Sequence, residues 1–435
     1  MNFAFMSTEW LKNNLPTFND KLGWLWGKIK NICGFIRSKW EKLSDDIKVF
    51  AICAIILAII VDVAIAIKSP NQRETVSVLG ASSALASGVG NEITITLAGD
   101  VMCHDGQLLD ARQDDGSYNF SSCFKEVSLL IKRSDIAFAN LEGTIAEDDE
   151  SAYGYPYFFM PYEFAAEVVD TGFNILSLNN TQCFNARETG LTSTIDKIAD
   201  LGAFAYGAGE DGSGPIVVET EGIKVGFVSA IDEGYLNNSE NGDMARDCLS
   251  VYDRKAVRKH IEYCRKKGAD FVITYIRWGT EGDNVPTDYM KSVAEYLVSI
   301  GSDVVLGGGN HAVMPMEVID TDDAYKIGGV RKGYVFYSLG NFVSNQRTGS
   351  GDMGAVAELH VRKIAKNVTR VVSYETTPVY TNVDISDGRN FRVLPVYKGA
   401  SVPDWMDDTN KDRFIKVYSI VDTILNSFNT SGCPY

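Results

Sequence analysis

Acidic, amide, basic and imidazole side chains follow several short strand patterns at the point where each pattern ends. The strand patterns are rich in Val, Ile, Phe and Ala, and they stop abruptly at polar residues or glycine. In α/β proteins, ligand sites collect at the carboxyl ends of the strands. The sequence therefore predicts one site, at which such groups bind a metal ion, exchange protons or hold an anion. The expected members are Asp100, Asn140, Glu142, Asn180, Arg277, Glu281 and His311.

Each of these residues also has an ordinary structural interpretation. Asp100 and Glu142 could cap the helices or turns that follow their strands. Asn179-Asn180 could form a turn, since Asn tolerates left-handed backbone geometry. His311 could be a hydrogen-bonded structural histidine. Because the same placement is repeated after several strands, we interpret the set as a functional or vestigial site.

The elements that must position these residues alternate between strand and helix. Six strand patterns are expected first, at Ile93–Ala98, Ile136–Ala139, Ile175–Leu178, Lys224–Ala230, Phe271–Tyr275 and Asp303–Leu306. Helical patterns lie between several of them, at Tyr162–Thr171, Leu191–Leu201, Arg254–Lys267 and Tyr289–Ile300. Later strand patterns follow with little helix between them and predict antiparallel pairing, at Gly333–Ser338, Ala355–Val361 and Val371–Tyr380. The sum is an α/β sandwich with mixed sheets.

The order and separation of several short motifs resemble the CapA family of poly-γ-glutamate capsule proteins. The motifs are GDVM, NLEGT, LNN, WGTE, GGGNH and YSLGNF, and they cover about residues 93–345. The resemblance implies the sandwich fold of calcineurin-type metallophosphoesterases, with a metal-compatible cluster at the strand ends. It also implies a role in making, exporting or anchoring poly-γ-glutamate, or a related polymer, at a bacterial surface.

This chain departs from the family pattern at three positions where relatives have histidine. Thr181, Arg277 and Gly309 stand where the patterns NNH, HWGxE and GHHPH place an imidazole. A two-metal centre needs several His and carboxylate ligands, and a guanidinium has no free lone pair and repels a cation. We therefore expect no two-metal centre. The remaining ligand atoms are compatible with one divalent ion, Mg²⁺, Ca²⁺ or Mn²⁺, held by Asp100, Glu142, Asn180 and His311.

Three functional hypotheses remain open from the sequence. In the first, the site binds polymer carboxylates or a partner without turnover, and Arg277 grips a carboxylate through two hydrogen bonds beside Asn140 and Asn180. In the second, the chain is a metal-dependent hydrolase or transferase acting on phosphoester or γ-glutamyl bonds. Its catalytic groups would be Asp100, Glu142, Glu281 and His311. In the third, the domain is a structural interaction module and the site is unimportant.

An apolar segment of nineteen residues, Val49–Ile67, predicts a transmembrane helix. At about 1.5 Å per residue it matches the hydrocarbon core of a bilayer, and Asp62 is its one charge. Residues 1–48 contain eight Lys/Arg, whereas the twenty or so residues after the segment offer only Lys68 and Arg73. The positive-inside rule then predicts a single-pass cell-membrane protein with a cytoplasmic N-terminus and an extracellular main domain. A cleaved signal peptide is disfavoured, because the preceding region is too long.

The other segments complete the expected domain organisation. Residues 1–48 form a cytoplasmic juxtamembrane segment whose Trp and Lys residues suit either helices on the inner membrane face or a helical hairpin that packs on a partner. Residues 68–91 are rich in Ser, Gly and Ala and form a flexible linker. The CapA-like domain spans 92–400. Residues 401–435 add a C-terminal helical extension, which we expect to close the domain rather than to bind a partner.

Charge excludes one class of partner. The chain has a net charge of −16, and residues 1–68 contain nine Lys/Arg against six Asp/Glu, so residues 69–435 carry −19. An acidic body of this size argues against nucleic acid, whose phosphates attract basic surfaces. The expected partners are the anionic cell-surface polymer, the membrane and other membrane subunits of polymer synthesis. Six cysteines follow the apolar segment, and their spacing fixes no disulfide pairing.

Overall fold

The computed structural model describes residues 76–77, 90–147, 151–209, 214–239, 242–322, 330–384 and 390–428. The expected transmembrane helix Val49–Ile67 and cytoplasmic segment 1–48 lie outside these ranges, as does most of the expected linker. Within the described ranges, no helix is long and apolar enough to cross a membrane.

Strands make up most of the regular structure. In chain order they are β1 (Val76–Ser77), β2 (Glu92–Met102), β3 (Ile136–Glu142), β4 (Thr144–Ile145), β5 (Phe159–Met160), β6 (Ile175–Ser177), β7 (Phe204–Tyr206), β8 (Ile216–Thr220), β9 (Ile223–Ile231), β10 (Phe271–Arg277), β11 (Val304–Gly308), β12 (Met316–Asp322), β13 (Val330–Phe336), β14 (Asn341–Val343), β15 (Met353–Ala365), β16 (Val368–Asn382) and β17 (Arg392–Pro395).

Helices connect many of the strands. In chain order they are α1 (Asp105–Ala111), α2 (Ser121–Phe124), α3 (Ser128–Lys132), α4 (Tyr162–Asp170), α5 (Arg187–Asp200), α6 (Glu233–Asn237), α7 (Gly242–Ala245), α8 (Arg254–Lys266), α9 (Asp288–Ser299) and α10 (Asp408–Leu425). 3₁₀ turns also lie at Thr181–Phe184 and Arg246–Cys248.

The larger strands form two mixed sheets. The first has the order β1-β8-β9-β10-β11-β13-β12, with β9, β10, β11 and β13 parallel to one another. The second has the order β17-β16-β15-β2-β3-β6-β7, with β14 also paired to β2. Its strands β2, β3, β6 and β7 are parallel, whereas β15, β16 and β17 pair antiparallel. In each sheet, a parallel half therefore ends at one edge, where ligand sites are expected.

The two sheets pack face to face through alternate residues of their strands. Leu97 and Phe138 of the second sheet belong to the same apolar cluster as Phe227 and Tyr275 of the first. The rings of Phe138 and Phe227 stack with centroids 6.3 Å apart. Because side chains alternate along a strand, the other residues pack on helices outside the sheets. Each large side chain buried in this way contributes about 1.5–3 kcal/mol. The expected α/β sandwich with mixed sheets is confirmed.

Helix α10 closes one end of the space between the sheets. Asp407 caps its N-terminus, because the side-chain oxygen accepts a hydrogen bond from the Asn410 amide. Phe414, Val417 and Val421 are buried in the cluster between the sheets. The apolar face that the sequence indicated is therefore covered by this domain.

Strand boundaries and one pairing differ from the expectation. Strand β2 runs to Met102, so Asp100 lies inside the strand rather than after it, and β10 likewise includes Arg277. Polar residues suggested the strand ends, but these side chains are buried, and the hydrogen-bond ladder extends to Arg277 in β10 and past Asp100 in β2. Strand β13 is antiparallel to β12 but parallel to β11. The prediction that the later strands pair antiparallel is therefore only partly correct.

Candidate functional site

Six of the seven expected site residues meet at the carboxyl ends of the central strands. Asp100 lies near the end of β2, while Glu142 and Arg277 are the last residues of β3 and β10. The strand register pairs Asp100 with Asn140. The other two members come from the segments that follow β6 and β11. We call this set the buried cluster, and it comprises Asp100, Asn140, Glu142, Asn180, Arg277 and His311.

The centre of the buried cluster is a set of ion pairs. Nη2 of Arg277 donates a hydrogen bond of 2.5 Å to Oε1 of Glu142, and Nη1 lies 3.5 Å from Oδ1 of Asp100. Nδ1 of His311 lies 3.0 Å from Oδ2 of Asp100. The side chains of Arg277 and Asp100 are each only 1% exposed. These charges therefore neutralise one another in the interior.

Amide side chains hold the carboxylates in place. Asn140 donates to Asp100 Oδ1 at 2.7 Å, and Asn180 donates to Asn140 Oδ1 at 3.1 Å and to the Leu141 carbonyl at 2.9 Å. The Asn180 oxygen accepts from the Cys183 amide at 3.0 Å, so Asn180 caps the first 3₁₀ turn. Asn180 has an extended backbone with φ −142°, so it acts as a cap and not through left-handed geometry, and its oxygen is already engaged.

Arg277 also packs tightly against two neighbours. Its guanidinium carbon lies 4.9 Å from the centroid of the Tyr235 ring, a cation–π contact. On another side is Gly309, whose backbone φ is +98°. A Cβ atom at position 309 would lie 2.7 Å from Cγ of Arg277. Gly309 therefore provides the space that the arginine side chain fills.

Charge interactions outweigh burial in setting the protonation of the cluster. Burial alone would raise the pKa of Asp100, but the hydrogen bond with His311 and the charge of Arg277 hold it below its usual value. Burial alone would lower the pKa of His311, but the charge of Glu142 and the contact with Asp100 raise it. Burial likewise opposes the charge of Arg277, whose pKa the neighbouring Glu142 raises further. Asp100 and Arg277 are therefore both ionised at neutral pH.

A divalent ion in the buried cluster would compete with Arg277 for the carboxylates. Asp100, Glu142 and His311 each offer a ligand atom, and these atoms all lie within 4.8 Å of one another. However, the permanently protonated guanidinium of Arg277 already contacts both carboxylates. A metal ion at the same oxygens would lie beside this fixed positive charge. The side-chain oxygen of Asn180, the fourth expected ligand, already accepts a hydrogen bond from the Cys183 backbone amide.

The structure puts the three residues expected to bind substrate in the interior. Asn140, Asn180 and Arg277 are 0%, 0% and 1% exposed. Their polar contacts are described above, and those contacts join them to other members of the same cluster and to backbone. Binding to a polymer carboxylate is not tested by this arrangement and stays a prediction. Such binding would require a conformational change that exposes these three side chains to solvent.

A cleft of about 490 Å³ opens beside the buried cluster, next to Gly309 and His311. We call it the acidic cleft, after the carboxylates in its lining. The seventh expected site residue, Glu281, is exposed in this cleft and accepts a hydrogen bond from Gln346 at 3.1 Å. Glu281 is not among the three side chains that converge on one point. The structure thus divides the expected site into a buried part and an open part.

The residues of the acidic cleft that the sequence interpretation missed include Asp232, Tyr235, Asp283 and Tyr289. Asp232 directly follows β9, so the rule that flagged the other strand ends could have found it. Tyr235 lies in the short helix α6, which Asp232 caps. Tyr289 lies in the first turn of α9 and gives no signal of its own in the sequence.

The five described cysteines that follow the apolar segment are buried, and none forms a disulfide. They are Cys103, Cys123, Cys183, Cys248 and Cys264. Burial raises the pKa of the Cys183 thiol to about 12, so this group stays protonated. A reactive thiolate near the buried cluster is therefore not available from Cys183.

Comparison with known proteins identifies the family. The family described as "Bacterial capsule synthesis protein PGA_cap" matches residues 94–346, which is more than half of the chain. The chain belongs to this family. The residues matched to PGA_cap contain the whole buried cluster and the acidic cleft. The resemblance to the CapA family is confirmed by two relatives described next.

Two capsule proteins of Bacillus species are similar to this PGA_cap chain. "Capsule biosynthesis protein CapA" of Bacillus anthracis is 27% identical over 296 residues, covering 65% of this chain and 67% of that protein. "PGA biosynthesis protein CapA" of Bacillus subtilis (strain 168) is 26% identical over 274 residues, covering 60% of this chain and 68% of that protein.

Solved structures share part of the fold of this PGA_cap chain at low sequence identity. The calcineurin-like phosphoesterase YfkN from Bacillus subtilis has a TM-score of 0.42 at 13% identity, covering 76% of this chain and 98% of that one. NAD nucleotidase (NadN) of Haemophilus influenzae has a TM-score of 0.41 at 12% identity, covering 77% of this chain and 61% of that one. A hypothetical protein from Thermus thermophilus has a TM-score of 0.41 at 13% identity, with coverages of 66% and 98%.

Proposed function

We propose that this chain is an accessory protein in the synthesis, export or anchoring of a capsule polymer, poly-γ-glutamate or a related anionic polymer. We further propose that its buried cluster is a metal centre in which Arg277 has replaced the metal ion. Membership of the capsule synthesis family supports the first part. The single observation that carries the second part is the contact of one guanidinium with both Glu142 and Asp100.

Replacement of a metal by arginine is physically consistent with the burial of this site. Two carboxylates in the interior need a counter-charge, because isolated buried charges are strongly destabilising. Arg277 supplies that charge together with a directed hydrogen bond to Glu142, and His311 contacts the other carboxylate. The cluster then organises the strand ends without an ion. A guanidinium cannot activate a water molecule as a metal ion does, because it stays protonated.

The enzyme hypothesis retains one observation in its favour. Ligand atoms of Asp100, Glu142 and His311 lie within 4.8 Å of one another, a separation compatible with a single ion. A metal-dependent hydrolase or transferase acting on phosphoester or γ-glutamyl bonds would need this ion. The contacts of Arg277 favour the metal-free alternative, since an ion at these carboxylates would lie beside a fixed positive charge.

Metal analysis separates the two alternatives. The full chain is purified in detergent, incubated with Mg²⁺, Mn²⁺, Ca²⁺ or Zn²⁺, desalted and analysed by mass spectrometry of the elements. We expect a substoichiometric amount of each metal. One or more tightly bound ions per chain, accompanied by phosphodiesterase activity that a chelator abolishes, would establish the enzyme instead.

We also propose that the protein is anchored in the cell membrane by Val49–Ile67, with the main domain extracellular and the N-terminus cytoplasmic. The support is the asymmetric distribution of Lys/Arg around the apolar segment. This topology would present the acidic cleft to polymer and to other membrane subunits at the cell surface.

A further inference from the structure

We infer that the acidic cleft binds an organic ligand through a primary ammonium group. The volume of about 490 Å³ lies within the range of small-molecule sites. The cleft is bordered by α6, by the start of α9 and by the segments that follow β10 and β11. This is the edge of the first sheet at which ligand sites are expected.

The charge of the lining selects the class of ligand. Asp232, Glu281 and Asp283 contribute three carboxylates, and no Lys or Arg belongs to the described lining. The one basic group is the imidazole of His311, which contacts Asp100 through Nδ1. An anionic chain would therefore be repelled here, whereas a positively charged group would be attracted. Accordingly, this cleft does not suit the carboxylates of poly-γ-glutamate.

The arrangement of the carboxylates favours an organic cation over a metal ion. Among the described residues, the three side chains that converge closely enough to share an ion are Asp100, Glu142 and His311. Asp232, Glu281 and Asp283 do not form such a group. They are accompanied in the lining by tyrosine rings and hydroxyl groups, which suit a ligand of several atoms.

One carboxylate and one aromatic ring of the cleft are held in position. Oδ1 of Asp232 accepts from the Tyr235 amide at 3.1 Å, and Oδ2 accepts from the Tyr289 hydroxyl at 2.6 Å. Tyr289 is 51% exposed, so its ring is available beside this carboxylate. A carboxylate next to an open aromatic ring binds an ammonium group by charge and by cation–π attraction.

The identity of the molecule that carries the ammonium group rests on the proposed function in capsule polymer synthesis. A γ-glutamyl chain carries carboxylates along its length, and its free amine is at the amino end. An acceptor to which the polymer is transferred or anchored could also present an amine. Both sources share a primary ammonium on an organic chain, and separate probes distinguish them.

Isothermal titration calorimetry on the full-length protein in detergent tests the inference. The probes are 1,5-diaminopentane, a γ-glutamyl tripeptide with a free amino end, and the same peptide acetylated at its amine. We expect at least one free-amine probe to bind with Kd below about 1 mM. Binding should weaken as salt rises from about 0.05 M to about 0.5 M, because the attraction is electrostatic. The acetylated peptide should not bind.

A double variant ties the binding to the cleft. Glu281→Gln with Asp283→Asn removes two exposed charges at nearly constant shape, and it should raise the Kd of the bound amine by about tenfold or more. The control is Asp408→Asn, which removes a carboxylate that is 99% exposed on α10, outside the cleft. Thermal unfolding should be unchanged in all three proteins.

Several results would overturn the inference. They are the absence of binding by both free amines, equal binding of the acetylated peptide, an unchanged Kd in the double variant, or displacement of the amine by stoichiometric Ca²⁺. Metal content, measured on the same preparation, reports separately on the proposed function. If the protein contains no metal and binds no amine, only the inference about the acidic cleft is wrong. If it contains metal and binds an amine, only the proposal of a metal-free centre is wrong.

Discussion

The side chain of Arg277 fills the space that a side chain at Gly309 would need. A Cβ atom built at position 309 would lie 2.7 Å from Cγ and 3.2 Å from Nε of Arg277. The related family pattern has histidine at both positions, so the two departures are structurally linked. Arginine at 277 requires that 309 have no side chain, and an imidazole at 309 would exclude this arginine conformation. The side chains at 277 and 309 therefore constrain each other.

The first prediction concerns the space at position 309. Gly309→Ala should lower the free energy of unfolding by about 2–4 kcal/mol, because it combines a positive φ with overpacking against Arg277. Urea unfolding measures the effect. Gly202→Ala is the matched control, since Gly202 has φ +87° but nothing within 4 Å of the added carbon. Equal losses in the two variants would disprove the tight fit, whereas partial rescue by Arg277→Ala would support it.

The second prediction concerns the buried charge. Arg277→Met should destabilise the protein by about 3–5 kcal/mol at neutral pH, because it leaves Asp100 and Glu142 as uncompensated buried carboxylates. Chemical denaturation followed by circular dichroism measures the loss. The control is Arg362→Met, which removes the half-exposed partner of Glu92 and should cost about 0–1 kcal/mol. A similarly small effect at 277 would mean that the ion pairs do not hold the site together.

The third prediction concerns recovery of a metal site. The triple variant Thr181→His, Arg277→His and Gly309→His restores an imidazole at three positions where the family pattern has one. We expect it to bind at least one Mn²⁺ or Zn²⁺ ion more than the wild type, since imidazole and carboxylate suit these ions. Elemental analysis and metal-dependent thermal stabilisation measure the gain. Equal metal content in both proteins, with the variant folded, would argue against Arg277 as the replacement of a metal.

The fourth prediction concerns His104, which caps α1. Burial lowers the pKa of His104 to about 4, and its Nδ1 accepts a hydrogen bond from the Asn345 amide at 3.2 Å, which requires the neutral ring. Between about pH 6.5 and about pH 4 the unfolded chain binds this proton and the folded chain does not, so this residue lowers stability as pH falls through that window.

NMR titration of the His104 ring checks this prediction. We expect no midpoint above about pH 5. In His104→Gln, the fall in stability below about pH 6.5 should be shallower than in the wild type. A His104 midpoint near the ordinary histidine value would contradict the assignment of a neutral, hydrogen-bonded ring.

The fifth prediction concerns topology. Because Lys and Arg are concentrated before Val49, we expect residues 92–435 to lie outside the cell. Protease added to intact protoplasts should degrade this part of the chain, while a cytoplasmic marker protein stays intact. Full protection of the domain, with cleavage only after lysis, would refute the proposed orientation.

The sequence by itself determined the fold class and the gathering of most site residues. Short continuous apolar runs such as Ile136–Ala139 predict buried strands, and intervening helical patterns predict parallel pairing. Once neighbouring strands are parallel, their carboxyl ends lie at one edge of their sheet, so Asp100 and Glu142 had to come close together. These conclusions depend on local periodicity and chain order, which a sequence displays directly.

Only the tertiary structure decided what those side chains do at that edge. Arg277 could have faced solvent and a polymer carboxylate, but register and packing turn it inward between Glu142 and Asp100. The same packing leaves Glu281 in an open cleft with Tyr289, which no sequence pattern indicated. The physical reason is that side-chain direction at a strand end depends on neighbours far apart in the chain. Arg277 and Glu142 are 135 positions apart, and their contact exists only after the two sheets have packed.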